Sequence, residues 1–200
     1  MSSFVAVSCD QGFVISADSI AFKQPVGEKK YGRVRAFTRK LFQLSDDVIA
    51  GGVGEWTSYL PVFNTVARRR LTADKFVPEL LDLCVKKAAD SRVFVLYRSG
   101  KRVLLDTSEL GHVRREQPGA VSYPDPLLNG LFHRVYDSPE GDTVKKSGMI
   151  GIAALLGGIN ALAASLSAEM SPPFDMVCFL PEGMFVLSGG VTKLPVTEFW

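Results

Sequence analysis

Apolar strand residues begin almost at the chain's first atom. Phe4, Val5 and Val7, then Phe13, Val14 and Ile15, are aromatic or β-branched, and Asp10-Gln11-Gly12 between them supplies turn chemistry. A strand, a turn and a second strand over residues 2–19 tie the N-terminus into the fold, where most chains fray. Met1 precedes a serine small enough for the initiator methionine to be removed. Ser2 would then carry a hydroxyl and a free α-amine, a nucleophile and a base on one residue.

Residues 20 to 35, with Pro25 and many charges, read as an exposed loop. Lys40–Leu44 and Val48–Gly54 form a second apolar pair around the polar turn Ser45-Asp46-Asp47, ending in Gly51, Gly52 and Gly54. Glu55 to Arg70 has apolar residues at helical spacing, with Pro61 predicting a kink or a later start. Ala73 to Ala89 predicts a second helix. Arg92–Arg98 and Lys101–Thr107 flank the turn Ser99-Gly100. A short strand is predicted between Pro118 and Pro126, a short helix over Leu127–Asp137 and a loop over Ser138–Asp142. Ser147 to Ala168 carries no charge and forms a long helix, and Phe174–Leu180 pairs with Met184–Ser188 across Pro181-Glu182-Gly183.

Strands and helices fall in blocks, which excludes a βαβ wound fold. Two antiparallel sheets face to face, with helix pairs outside, would bury these runs. The uncharged helix, long enough to cross a membrane, is rich in Gly, Ala and Ser, a composition suited to close packing with a layer on either side. The expectation is one domain over residues 1–200, with no membrane span.

Net charge is +2, and Arg68-Arg69-Arg70 closes a helix, so nothing marks a nucleic-acid surface. Cys9, Cys84 and Cys178 are widely spaced in apolar runs and read as reduced core residues of a cytoplasmic protein. No basic segment followed by an apolar one marks a secretory leader. Two histidines and scattered cysteines do not approach metal-ligand spacing, and no cofactor is expected. A serine hydrolase built on His112 or His133 lacks the Gly-x-Ser-x-Gly elbow.

Three segments in order carry a resemblance: the Ser2 hairpin with Gly12 and Ala17-Asp18-Ser19, then Arg39-Lys40-Leu41-Phe42-Gln43-Leu44, then Ile49-Ala50-Gly51-Gly52-Val53-Gly54 leading into a helix. Over residues 2 to 90 the chain resembles the proteasome β-subunit family of N-terminal nucleophile hydrolases, including the bacterial proteasome-like peptidases; beyond that the likeness is loose. The resemblance implies an α+β fold, a four-layer αββα sandwich of two antiparallel sheets flanked by helices. It implies a self-compartmentalising peptidase acting on peptides or unfolded proteins. Its assembly would be a homo-oligomeric ring of six or seven subunits, single or stacked, open to an ATP-dependent unfoldase.

By the same resemblance Ser2 is the nucleophile, Asp18 and Lys40 the paired acid and lysine, and Gly54 the donor of the oxyanion N–H. Glu169 and Ser171 stand near the positions of an acid and serine that hold the terminal amine, with Pro172-Pro173 following them. Asp125, between two prolines, is the nearest polar candidate for a missing Gly-Ser-Gly serine. Gly52 would leave the pocket floor beside Ser2 open to large side chains. The alternative reading is an inactive ring-forming structural protein on the same fold.

Overall fold

The computed structural model describes residues 4–9, 12–23, 34–37, 39–54, 56–69, 71–115, 120–123, 126–166 and 174–195. Its first hairpin is β1 (Phe4–Cys9) and β2 (Gly12–Ala17), antiparallel from Phe4↔Ala17 to Cys9↔Gly12. β10 (Ala120–Tyr123) pairs with the other edge of β1, while β11 (Asp175–Leu180) and β12 (Gly183–Ser188) continue beyond β2. The N-terminal strand is therefore interior to a five-stranded sheet.

A second sheet, of six strands, holds β5 (Leu41–Ser45), β6 (Val48–Val53), β7 (Arg92–Ser99), β8 (Arg102–Glu109) and β9 (His112–Arg115) as an antiparallel run. β13 (Thr192–Lys193) joins β5 in parallel. Residues 20–35 were expected to be a loop, but strands occupy both flanks: β3 (Ile20–Lys23) pairs with β4 (Val34–Phe37). Charge and Pro25 masked that short pairing in the sequence.

Alternation along the strands sorts the core. Phe4, Ala6, Phe13 and Ile15 point toward Leu41, Ile49, Phe94 and Leu96 of the other sheet, and the Phe4 and Phe94 rings stack at 4.1 Å and 10°. Val5, Val7 and Val14 point the other way, against Phe132, Ile152, Leu156 and Ile159. Those come from α3 (Pro126–Tyr136) and α5 (Gly148–Leu166), with α4 (Pro139–Lys146) between. On the second sheet, Phe42, Val48 and Val95 pack against Phe63, Phe76 and Leu80 of α1 (Trp56–Ala67) and α2 (Ala73–Lys87). The described residues thus form an α+β protein with two principal sheets and five helices.

Pro61 lies inside α1, which begins at Trp56 and so does not start late. The expected loop at 138–142 is instead the start of α4. Pro139 and Gly141 read as breakers, yet the segment carries helix-start chemistry. Ser138 Oγ accepts from Gly141 N at 3.1 Å, proline sits in the first turn, and Glu140 and Asp142 complement the helix dipole. α5 also differs from expectation. Among the described residues it has a layer on one side: Ile152, Leu156, Ile159 and Ala163 are buried, while Ile150 is 79% and Leu162 48% exposed. By length and composition alone this helix could cross a membrane.

Candidate active site beside the first strand

Asp18 follows the last residue of β2 and Lys40 precedes the first of β5, so the two sheets contribute one residue each. Lys40 Nζ donates to Asp18 Oδ1 at 2.7 Å, with Asp18 wholly buried and Lys40 4% exposed. Stripping water from an ammonium is costly, and removing either partner strands the other charge. Burial holds Lys40 below its ordinary 10.5, against the opposing attraction and hydrogen bond of Asp18 and the attraction of Asp175.

β1 starts beside this pair, because Phe4 is in register with Ala17, the residue before Asp18. β6 approaches from the other side. A β-carbon on Gly51 would lie 2.7 Å from the Phe4 ring and 3.1 Å from the Lys40 carbonyl, so the glycine admits both. Gly54 ends this segment with φ +113°, a conformation closed to ordinary side chains, and any β-carbon there would meet Ser91 Oγ at 2.9 Å. Ser91 is buried in the turn before β7, with its hydroxyl 3.1 Å from that of Ser58 on α1.

The direction of a side chain at Gly52 is filled, not open. A β-carbon there would lie 2.6 Å from the Tyr59 ring, whose hydroxyl donates to the Gly52 carbonyl at 3.2 Å. A side chain at this position would therefore point into α1, so the missing β-carbon opens no space there.

Of the residues expected at the site, the structure pairs Asp18 with Lys40 and puts Gly54 at the end of the strand that flanks them. Ser2, Glu169, Ser171 and Asp125 lie outside the described residues. His112 is exposed on β9, and His133 on α3 lies 3.1 Å from Asp137. Among the described residues no group of three His, Cys, Asp or Glu could hold a metal ion. The three cysteines are free, and burial pushes the Cys84 thiol up to about 12 and that of Cys178 up to about 11.

Asp175 escaped sequence reasoning, and with it the role of Arg39 as its partner. Asp175, wholly buried at the start of β11, accepts from Arg39 Nη1 at 2.5 Å and from the Gly190 N–H at 2.9 Å, both on Oδ1. Desolvation nevertheless raises its pKa above the ordinary carboxylate value. The available signal was an acid heading the apolar run Met176–Leu180 next to Ala17 in the finished sheet.

No protein-family model matches the chain, and none of the curated proteins does. Among solved structures, it is similar to a Gly-1 mutant of Anbu from Hyphomicrobium sp. strain MC1. The superposition has a TM-score of 0.67 at 14% identity and covers 96% of this chain and 90% of that one. At that identity the likeness is one of fold.

Proposed function

We propose that this chain, sharing the fold of Anbu, is a four-layer αββα N-terminal nucleophile hydrolase that cleaves peptide bonds with Ser2 once Met1 is removed. The observation that carries the reading is the buried Asp18–Lys40 pair at 2.7 Å beside the start of β1. A charge pair excluded from water in that place suits chemistry better than stability.

In this mechanism the Ser2 hydroxyl attacks the substrate carbonyl as its proton passes to the α-amine, directly or through one water. The Lys40 ammonium favours the deprotonated hydroxyl and discourages protonation of the amine, and Asp18 keeps the lysine oriented. The backbone N–H of Gly54 receives the negative charge of the tetrahedral intermediate, a donor whose loss typically costs about 100- to 1000-fold in rate. Collapse expels the peptide's amine, which takes the proton, and leaves an ester on Ser2 that water hydrolyses. Glu169 and Ser171 are assigned to holding the terminal amine. The substrate is a peptide or unfolded protein, enclosed in a six- or seven-membered ring in the cytoplasm to which an ATP-dependent unfoldase could deliver.

A second reading, a ring-forming structural protein without activity, draws on a separate observation. Ile150 and Leu162 on α5, and Phe185, Val186 and Leu187 on the outer strand β12, are exposed apolar surface whatever Ser2 does. Intact mass together with a hydroxyl-directed covalent probe separates the two. Peptidase chemistry requires a mass lacking Met1 and labelling that disappears in Ser2→Ala. Retained Met1, or equal labelling of Ser2→Ala, removes the enzyme reading.

A further inference from the structure

Arg39 and Lys40 are consecutive, yet their acidic partners sit on neighbouring strands of the other sheet. Lys40 meets Asp18 at the end of β2, and Arg39 meets Asp175 at the start of β11. Asp175 is in register with Ala17, so the two acids are one residue out of step across adjacent strands. Two acid–base bridges therefore lie side by side between the sheets.

We propose that Asp175 is a positioning residue for Lys40: with Arg39 it makes a second bridge that fixes the backbone carrying the lysine and adds a second negative group to the field around its ammonium. Three observations support this. Asp175 interacts with the Lys40 backbone N–H as well as with Arg39 and Gly190, so it grips the lysine's own main chain. Among the described residues its Oδ2 is buried with no hydrogen-bond partner, which leaves that side of the carboxylate unscreened, and such a charge acts farther than one in water. Finally, the charged groups acting on the ammonium include Asp175 on β11 beside Asp18 after β2, with Arg39 adjacent in the chain.

The device owes its functional meaning to the reading of Lys40 as part of the Ser2 site, but its test reads Lys40 directly. Trace acetylation with acetic anhydride across a pH series, with the Lys40 peptide quantified by mass spectrometry, follows the free amine in an assembly of any size. In Asp175→Asn, one anion fewer makes the ammonium easier to deprotonate. Relative to its own alkaline plateau, Lys40 reactivity near neutral pH is expected to rise by at least about three-fold while exposed Lys101 stays unchanged; an equal rise at every pH reports only easier access to a buried side chain and overturns the proposal. A lower melting temperature with unmoved Lys40 reactivity means a merely structural clamp and overturns the proposal.

Should Asp175→Asn fail to fold, Arg39→Gln tests the same field in the opposite sense. Loss of the neutralising guanidinium is expected to lower Lys40 reactivity, and no change overturns the proposal. Probe labelling of Ser2 in the same samples keeps the two readings apart. A Lys40 shift without Ser2 labelling upholds the second bridge and removes the peptidase; Ser2 labelling with unmoved Lys40 does the reverse.

Discussion

Lys40 concentrates the chemistry and the cost of the site in one side chain. Lys40→Ala takes the ammonium away from the buried Asp18 and is expected to destabilise the protein by about 3–5 kcal/mol in urea unfolding. Asp18→Asn/Lys40→Met removes both charges, and recovery of most of that loss is the expected result. The pH dependence has a definite sign. Burial, outweighing Asp18, holds the folded pKa of Lys40 below 10.5, so the unfolded chain binds this proton more tightly than the folded one. The lysine's opposition to folding is complete where both states are protonated and fades as pH rises from the folded value toward 10.5. The stability of the parent relative to the double variant should climb through that window below 10.5; a flat difference curve would contradict the burial argument. Asp18 and Lys40 were legible through the resemblance, since each stands in one of the segments that carry it. The pairing of Asp175 with Arg39 was not, since they lie 136 positions apart and neither carries a local signal of the other.

Among the elements, two glycines give opposed predictions. At Gly51 a methyl would press on the Phe4 ring, itself stacked on Phe94, so Gly51→Ala is expected to cost about 1–3 kcal/mol and to loosen the start of β1. Gly130 on α3 has open space around the position of a β-carbon, and Gly130→Ala is expected to gain roughly 0.5–1 kcal/mol. Thermal unfolding of the two variants decides both. Hairpins were readable wherever apolar runs met turn residues, as at Ser45-Asp46-Asp47 and Ser99-Gly100. β9 was missed because it is exposed along its length and lacks alternation. α4 was missed because proline and glycine serve inside a first turn as well as in loops.

For the molecule as a whole, α5 poses the main question of association. Its sequence suggested a helix enclosed on both sides, but composition cannot say whether the second layer is part of the same chain. Sedimentation velocity of the parent protein is expected to show an assembly far heavier than 21.8 kDa. A monomer contradicts the ring reading. Ile150→Asp is expected to break that assembly with helix content unchanged by circular dichroism; persistence in Ile150→Asp with loss in Phe185→Asp would put the contact on β12 instead.

The interior position of β1 also sets an order of events during synthesis. Phe4 finds Ala17 soon after both are made, but its other edge pairs with Tyr123, about 120 residues later. At about 5–20 residues per second, β1 waits roughly 6 to 24 s for that partner. Asp175, which completes the far side of β2, arrives later still. The first hairpin is thus made early and enclosed late, and the start of β1 stays within reach of processing enzymes and chaperones until the strands on both of its sides have been made.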